Sequence, residues 1–268
     1  MLRARVLSAL VVVPVIALLV YWGGLPWLGC ILLVGVLAWY EMNDLLRRPA
    51  WSADRLLSLA FIIAALLEAY LHQTGRVQAD LFRPLIAGLL ILGLVAALYD
   101  KADQPVQRWA MNTAASLYLG FLLSHLVTLR LLSAGLRWTL AALTLTWVYD
   151  AMAFFVGSAL GRHKLWPRIS PKKSWEGLIG GTLAILIVGP LLGLWLLEIG
   201  PARGLLLAAL VALAAPFGDF AISLFKRTAR AKDSGHLIPG HGGILDRLDS
   251  LLFTFPVVTY FAIFSLGG

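Results

Sequence analysis

The sequence predicts an all-α, polytopic integral membrane protein with about nine transmembrane helices and a cytoplasmic N-terminus. Hydrophobic residues make up 60% of the 268-residue chain and charged residues only 13%, whereas soluble proteins carry about 25% charged residues. The mean hydropathy is +0.85, and apolar runs recur along the chain, each close to the roughly 20 residues that a helix needs to cross a bilayer. This pattern leaves little of the chain for a separate soluble domain.

Hydropathy divides the chain into nine candidate spans. They lie at about 6–22, 26–46, 55–72, 82–99, 109–132, 139–160, 178–198, 204–224 and 251–266. The first run follows Arg3 and Arg5 and resembles a signal peptide. Because no convincing cleavage site follows it and further spans do, we expect it to be retained as a helix.

The basic residues orient the chain in the membrane. With the N-terminus in the cytoplasm, 17 of the 22 Lys and Arg residues fall in cytoplasmic segments, in agreement with the positive-inside rule. Contact with an anionic leaflet accounts for the net charge of +8, so we expect no nucleic-acid partner. The single cysteine, Cys30, excludes an intrachain disulfide and a cysteine-based zinc site.

The most polar segment runs from the end of the eighth span to the start of the ninth. Inside the eighth span, Asp219 and Ser223 share a helical face with the basic residues Lys226 and Arg227. A carboxylate within a span costs about 3 kcal/mol and usually faces a polar cavity. Asp219 could therefore bind a metal or a substrate, or form a salt bridge to Lys226 or Arg227 within its own helix.

Two more aspartates, Asp246 and Asp249, stand one helical turn apart at the start of the ninth span. They could complement the helix dipole or bind Mg²⁺, which prefers carboxylate oxygens and substrate phosphates; together with Asp219, Asp246 would form a carboxylate pocket. The loop 239–243, P-G-H-G-G, could offer backbone N–H groups to an anion, although most glycine-rich loops are only turns. His241 could bind a phosphate or be solvated.

A second cytoplasmic connection follows the sixth span. Its Ser170-Pro171 pair predicts a helix N-cap followed by proline at the first helical position. Lys172 and Lys173 would then occupy the first turn, where the helix dipole disfavours cations. A bound anion would offset this conflict; alternatively, the two lysines only supply cytoplasmic positive charge.

Asp150 lies near the middle of the sixth span, too deep for surface solvation. We expect it to have a polar partner, for example on the eighth span, or to line the site. Close helix packing is predicted by three G-x-x-x-G spacings. These are Gly157/Gly161, Gly177/Gly181 and Gly189/Gly193.

The segment Ser223–Asp249 resembles the signature of the phosphatidate cytidylyltransferases, also called CDP-diacylglycerol synthases. The matching positions are Ser223, Lys226, Arg227, Lys232, Asp233, His241, Gly242, Gly243, Asp246, Arg247 and Asp249. The upstream S-P-K-K-S-W-E-G and G-R-H-K-L stretches and Asp150 also resemble this family, so the likeness covers about the last 120 residues. The chain departs from it at Ser174, where threonine is frequent, and at Gly157-Ser158, where Gly-Arg is frequent.

The resemblance implies transfer of the cytidylyl group of CTP to phosphatidic acid, giving CDP-diacylglycerol and pyrophosphate. It implies Mg²⁺, with room for a second cation, and a homodimer would suit the family. The compact size of the chain suggests a bacterial inner membrane, and because CTP is cytosolic we expect the active site to face the cytoplasm. The implied catalytic residues are Asp219, Asp246, Lys226, Arg227, Lys232 and Arg247. The implied substrate-binding residues are Ser223, Lys172, Lys173, His241, Gly242 and Gly243, and the implied metal ligands are Asp219, Asp246 and Asp249.

These residues divide the chain into two parts: 1–135, a lipid-facing scaffold of N-terminal helices, and 136–268, which carries the cytoplasmic-facing catalytic site. Two other functions compete with this interpretation. A CTP-dependent polyprenol or phytol kinase would transfer the γ-phosphate and leave CDP, and a transporter would line a conduit with Asp150 and Asp219. Because the polar residues gather at one membrane face late in the chain, an interfacial enzyme is favoured over a transporter.

Overall fold

The structure is a computed structural model that describes residues 14–46, 53–101, 103–235 and 242–266. These residues are almost entirely helical, which confirms the predicted fold class. Helix α1 covers 14–22. The other helices are α2 Gly24–Leu45, α3 Ala53–Gln73, α4 Phe82–Leu98, α5 Pro105–Leu131, α6 Gly135–Leu160, α7 Trp175–Trp195, α8 Pro201–Thr228 and α9 Leu245–Leu266.

Seven of the described helices are long and apolar enough to cross a membrane: α2, α3, α5, α6, α7, α8 and α9. Helix α4 is apolar but has only 17 residues. Large apolar side chains point outward, such as Leu98, Trp195 and Phe264, which are 78%, 73% and 80% exposed; a lipid environment would cover them. The chain is therefore a multi-pass membrane protein. The predicted total of nine spans stays a prediction.

The described residues form two compact units. The first contains the residues up to Leu131 together with Gly235 and 242–244, and the second contains Leu132–Ser234 and the residues from Leu245 onward. The sequence-based division fell after residue 135 and assigned 235–244 to the C-terminal part. The roles of scaffold and catalytic part stay predictions.

Two hydrogen bonds between buried groups connect helices of the first unit. The indole N–H of Trp27 on α2 donates to the carbonyl of Leu126 on α5, at 2.8 Å, and the Ser116 hydroxyl donates to that of Ser58 on α3, at 2.7 Å. Such pairs remove the cost of a polar group that has no water to bond with. They connect α2 to α5 and α3 to α5 inside the first unit.

Small residues bring the helices of the second unit close together. A Cβ on Gly177 would lie 3.1 Å from the Cα of Gly157, and one on Gly189 would lie 2.5 Å from the carbonyl oxygen of Gly204. Gly193 also contacts Gly204, and Gly181 contacts the backbone of α6. The packing role predicted for the G-x-x-x-G spacings is confirmed.

The connection between α6 and α7 contains a short antiparallel hairpin that the all-α prediction missed. Strand β1, Lys164–Trp166, pairs with strand β2, Ser170–Ser174. Trp166 packs against Phe220 of α8, with ring centroids 5.7 Å apart. The hairpin is thereby fixed against the C-terminal half of α8.

The predicted N-cap at Ser170 is wrong. Ser170 belongs to β2, and α7 begins five residues later, with Ser174 as its cap; the Ser174 hydroxyl accepts the N–H of Gly177 at 3.2 Å. Glu176 lies in the first turn, where a negative charge complements the helix dipole. Lys172 and Lys173 lie on this strand, so they do not oppose a helix dipole. The argument that a bound anion must offset such a conflict therefore no longer applies.

Candidate active site

A cavity of about 740 Å³ lies in the second unit, between the hairpin and helices α6 to α9. Its charged lining combines four carboxylates with four basic side chains: Asp150, Asp219, Asp246 and Asp249 with Lys164, Lys172, Lys173 and Arg247. Part of its wall is apolar and includes Trp147, Phe154, Leu178 and Pro216. Trp147 and Phe154 are also 43% and 68% exposed, so the polar cavity adjoins an apolar outer surface.

Asp219 of α8 is bonded through both of its carboxylate oxygens. Oδ2 lies 2.8 Å from Nζ of Lys173, and Oδ1 accepts the hydroxyl of Ser223 at 3.1 Å. The Lys173 ammonium also lies over the ring of Phe220, 4.5 Å from its centroid. The predicted alternative, a salt bridge from Asp219 to Lys226 or Arg227 within α8, does not form. The hairpin brings Lys173 to Asp219 instead.

Close contact between α8 and α9 places Asp219 beside Asp249. A Cβ on Gly218 would lie 2.3 Å from the carbonyl oxygen of Asp249, so only glycine allows this approach. The Asp249 carboxylate interacts electrostatically with those of Asp219 and Asp150. Three acidic groups from three helices therefore lie together in one cavity.

The sequence analysis suggested a partner for Asp150 on the eighth span, but its polar partner lies on α9. Its Oδ1 accepts the hydroxyl of Ser250 at 3.1 Å. Asp249 is the preceding residue and accepts the backbone N–H of Ser250 at 2.8 Å. Ser250 thus connects two of the cavity carboxylates, a role that the sequence analysis missed.

Asp246 forms a largely buried ion pair with Lys226. Asp246 Oδ1 lies 2.6 Å from Lys226 Nζ, and the side chains are 11% and 13% exposed. Its Oδ2 accepts both the backbone N–H and the hydroxyl of Ser234, at 2.9 and 3.0 Å. Asp246 therefore ties the start of α9 to the end of α8 and to the turn that follows it.

Other predicted site residues lie apart from the cavity wall. Arg227 donates to the carbonyls of Ile169, at 3.1 Å, and Ala231, at 3.3 Å, so it holds the hairpin. Among the described residues, the wall of the cavity does not include Ser223, Lys226, Arg227 or Lys232. Gly242 and Gly243 belong to the first unit, and His241 lies outside the described residues.

Lys164 lines the cavity but was absent from the predicted site residues. Its signal was present in the G-R-H-K-L stretch, which resembles the same family as the signature segment. Because this lysine lies in a polar connection between helices, no helical periodicity indicates which side chains it lies beside. The pairing of β1 with β2 places it opposite Ser174, in the strand that also carries Lys172 and Lys173.

The cavity carboxylates could supply some of the ligands of a metal ion, but not its complete coordination shell. Within the described ranges, no three His, Cys, Asp or Glu side chains are grouped closely enough to hold a metal on their own. Mg²⁺ usually takes one or two carboxylates and completes its shell with water and substrate phosphates. The donor set therefore fits Mg²⁺ bound together with a phosphate-bearing substrate.

A cavity of carboxylates and basic side chains beside an apolar surface, built on helices that can span a membrane, suits an integral membrane enzyme that acts on phosphate-bearing substrates. The chain belongs to the Cytidylyltransferase family, whose model matches residues 3–265. Curated relatives named phosphatidate cytidylyltransferase come from Bacillus subtilis, 32% identical over 98% of this chain and 99% of the relative, and from Thermotoga maritima, 36% identical over 96% and 94%. A third, from Synechocystis, is 33% identical over 98% and 97%.

Proposed function

We propose that this protein transfers the cytidylyl group of CTP to phosphatidic acid and releases pyrophosphate. One observation carries the proposal: a cavity with four carboxylates and four basic groups opens beside apolar, outward-facing side chains. This arrangement suits a lipid phosphate and a nucleotide triphosphate in the same site. The relatives over nearly the full chain length bear the name of this reaction.

In this reaction a phosphate oxygen of phosphatidic acid attacks the α-phosphorus of CTP. The bond from the α-phosphorus to the oxygen that bridges it to the β-phosphorus breaks, and pyrophosphate leaves with that bond's electron pair. Because the attacking phosphate is already ionised, no general base is needed. We infer a single in-line displacement, in which positioning and charge neutralisation supply most of the catalysis; a trapped nucleotidylated enzyme would contradict it.

The four basic side chains on the cavity wall would neutralise the phosphates. Lys173 is already held at a carboxylate and would bridge it to an incoming phosphate oxygen, while Lys164, Lys172 and Arg247 would bind the remaining charge. We expect Lys226, Arg227 and Lys232 to contribute as the family resemblance implies. The contacts of Lys226 and Arg227 suggest that both act by holding Asp246 and the hairpin in place.

We propose that Asp219 and Asp249 hold Mg²⁺, with Asp150 beside them, and that a second cation has room in the same cluster. When bound, Mg²⁺ would neutralise the phosphates and the pyrophosphate leaving group. Asp246 stays a predicted ligand. Asp246 is more fully occupied than Asp219, because its oxygens accept from Lys226 and twice from Ser234, whereas those of Asp219 accept from Lys173 and Ser223.

We further propose that the site faces the cytoplasm of a bacterial inner membrane. The excess of basic residues on that side and the cytoplasmic supply of CTP support this orientation. The family resemblance suits a homodimer, which stays a prediction. Size-exclusion chromatography with light scattering in detergent would test it.

The test is release of pyrophosphate by the purified protein in detergent micelles that contain phosphatidic acid, CTP and Mg²⁺. Diacylglycerol in place of phosphatidic acid is the control, because it lacks the attacking phosphate. Pyrophosphate that requires both substrates is the expected result. Release of CDP without pyrophosphate would indicate a kinase and contradict the proposal.

A further inference from the structure

Glu176, in the first turn of α7, holds the base of the hairpin that carries three of the four basic cavity residues. The backbone N–H of His163 donates to both of its carboxylate oxygens, at 3.2 and 3.3 Å. The ring atom Nδ1 of His163 lies 2.6 Å from Oε1. Because a carboxylate accepts this bond, Nδ1 carries the hydrogen. One side chain of α7 therefore binds both the backbone and the ring of the residue that precedes β1.

The junction also fixes the direction in which the two strands leave it. The backbone N–H of Trp175 donates to the carbonyl of His163 at 2.9 Å, so His163 is bonded to the start of α7 through its N–H, its ring and its carbonyl. Lys164 follows directly as the first residue of β1, and Lys172 and Lys173 lie on β2. All three lysines line the cavity.

The opposite end of the hairpin has a separate support on α8. Arg227 donates to the carbonyl of Ile169 at 3.1 Å, and Trp166 packs against Phe220. The hairpin is thus held at both ends, with its three lysines between the two supports. Glu176 supplies the support at the base, although it is not among the described residues that line the cavity.

The helix dipole alone does not account for these contacts. A negative charge in a first turn complements the dipole wherever its side chain points, so the dipole requires an acid but not one that reaches His163. The side chains of His163 and Glu176 are 79% and 24% exposed, and an exposed ion pair adds little to overall stability. The consequence of the pair is therefore local: it sets the position of the hairpin.

We propose that Glu176 is a positioning residue for phosphate binding. It acts through His163 and holds Lys164, Lys172 and Lys173 at the cavity wall. The inference rests on the proposed function, because that function makes the three lysines ligands of substrate phosphates.

The first test compares Glu176→Asp with Glu176→Gln in the pyrophosphate-release assay. Aspartate keeps the negative charge but is one methylene too short to reach His163, whereas glutamine keeps the length and an oxygen acceptor but loses the charge. In the aspartate variant the lysines are no longer held for charge-assisted hydrogen bonds, so we expect the KM for CTP to rise about tenfold while kcat changes much less. In the glutamine variant the KM should stay within about threefold of that of the wild type.

A role limited to the helix dipole predicts the opposite order, with the aspartate variant normal and the glutamine variant impaired. That order would overturn the proposal. Hydrogen–deuterium exchange supplies a second readout, because the His163 N–H is bonded to Glu176. The peptide that contains this amide should exchange faster in Glu176→Asp and at the wild-type rate in Glu176→Gln.

Glu198→Asp is the matched control. Glu198 follows the end of α7, and its Oε1 lies 2.8 Å from a guanidinium nitrogen of Arg137 at the start of α6. The variant shortens a paired glutamate by the same methylene at the opposite end of the same two helices. It should leave the KM for CTP and the exchange of the His163 peptide unchanged, and an effect equal to that of Glu176→Asp would overturn the proposal.

A second variant keeps the proposal testable if Glu176→Asp does not fold. His163→Ala removes the ring bond to Glu176 and leaves the backbone of the junction in place. It should raise the KM for CTP about threefold and accelerate exchange of the same peptide. Unchanged values in this variant would overturn the proposal.

Failure of the proposed function is distinguishable from failure of the role of Glu176. A wild-type protein that releases no pyrophosphate from CTP and phosphatidic acid contradicts the proposed function itself. An active wild type whose Glu176→Asp variant keeps its KM and its exchange rate contradicts only the role of Glu176.

Discussion

Replacing Gly218 by alanine should inactivate the enzyme by separating α8 from α9. The new Cβ would lie 2.3 Å from the carbonyl oxygen of Asp249 and 2.9 Å from the Cα of Ser250. Ordinary van der Waals contact begins at 3.4 Å, so the two helices must move apart by about 1 Å. This displacement falls between Asp219 on one helix and Asp249 on the other.

The loss of activity should exceed the loss of stability. A displacement of about 1 Å in a catalytic arrangement costs roughly 100-fold in rate. Overpacking costs about 1–3 kcal/mol in the free energy of unfolding, but alanine regains about 1 kcal/mol over glycine in a helix. We therefore expect a folded protein whose rate falls about 100-fold and whose midpoint of thermal unfolding falls modestly.

The assay is the initial rate of pyrophosphate release, normalised to the monodisperse fraction in size-exclusion chromatography. Gly29→Ala is the matched control, because Gly29 lies inside α2 and its Cβ would meet nothing within 4 Å. The control should keep the wild-type rate. A Gly218→Ala variant at the wild-type rate would refute the claim that the α8–α9 contact sets the active-site geometry.

Asp219→Asn and Asp246→Asn should each abolish turnover while membrane insertion, followed in the membrane fraction, stays normal, because each removes a carboxylate charge from the cavity wall. Retained turnover would remove that residue from the site. Lys101→Ala, on another predicted cytoplasmic loop, should keep nearly the wild-type rate and is the charge-loss control. Chelation with EDTA should stop turnover and added Mg²⁺ should restore it; turnover that resists EDTA would argue against bound Mg²⁺.

The fold class and several residues of the cavity could be predicted from sequence because their signals are local. An apolar run has the length of a bilayer span whatever surrounds it, and Asp219 and Ser223 share a face because they stand four residues apart in one helix. The signature segment likewise places Asp246, Arg247 and Asp249 together, and the structure lines the cavity with all three.

Contacts between distant parts of the chain could not be predicted in this way. Lys173 reaches Asp219 only because residues around it form a hairpin, and a polar, proline-containing connection gives no periodicity from which to infer one. The bond from Ile244 to Glu41 spans 203 positions. Such pairs depend on how helices pack, which local patterns in a single sequence do not reveal.

The most direct test of the central claim is to determine which phosphorus of CTP enters the lipid. Purified protein in phosphatidic acid micelles with Mg²⁺ is given CTP labelled with ³²P at the α-position in one reaction and at the γ-position in another. We predict α-label in the lipid phase, dependent on phosphatidic acid, and γ-label only in aqueous pyrophosphate. Transfer of γ-label to a lipid, or no lipid label from a folded protein over a range of Mg²⁺ concentrations, would contradict cytidylyl transfer.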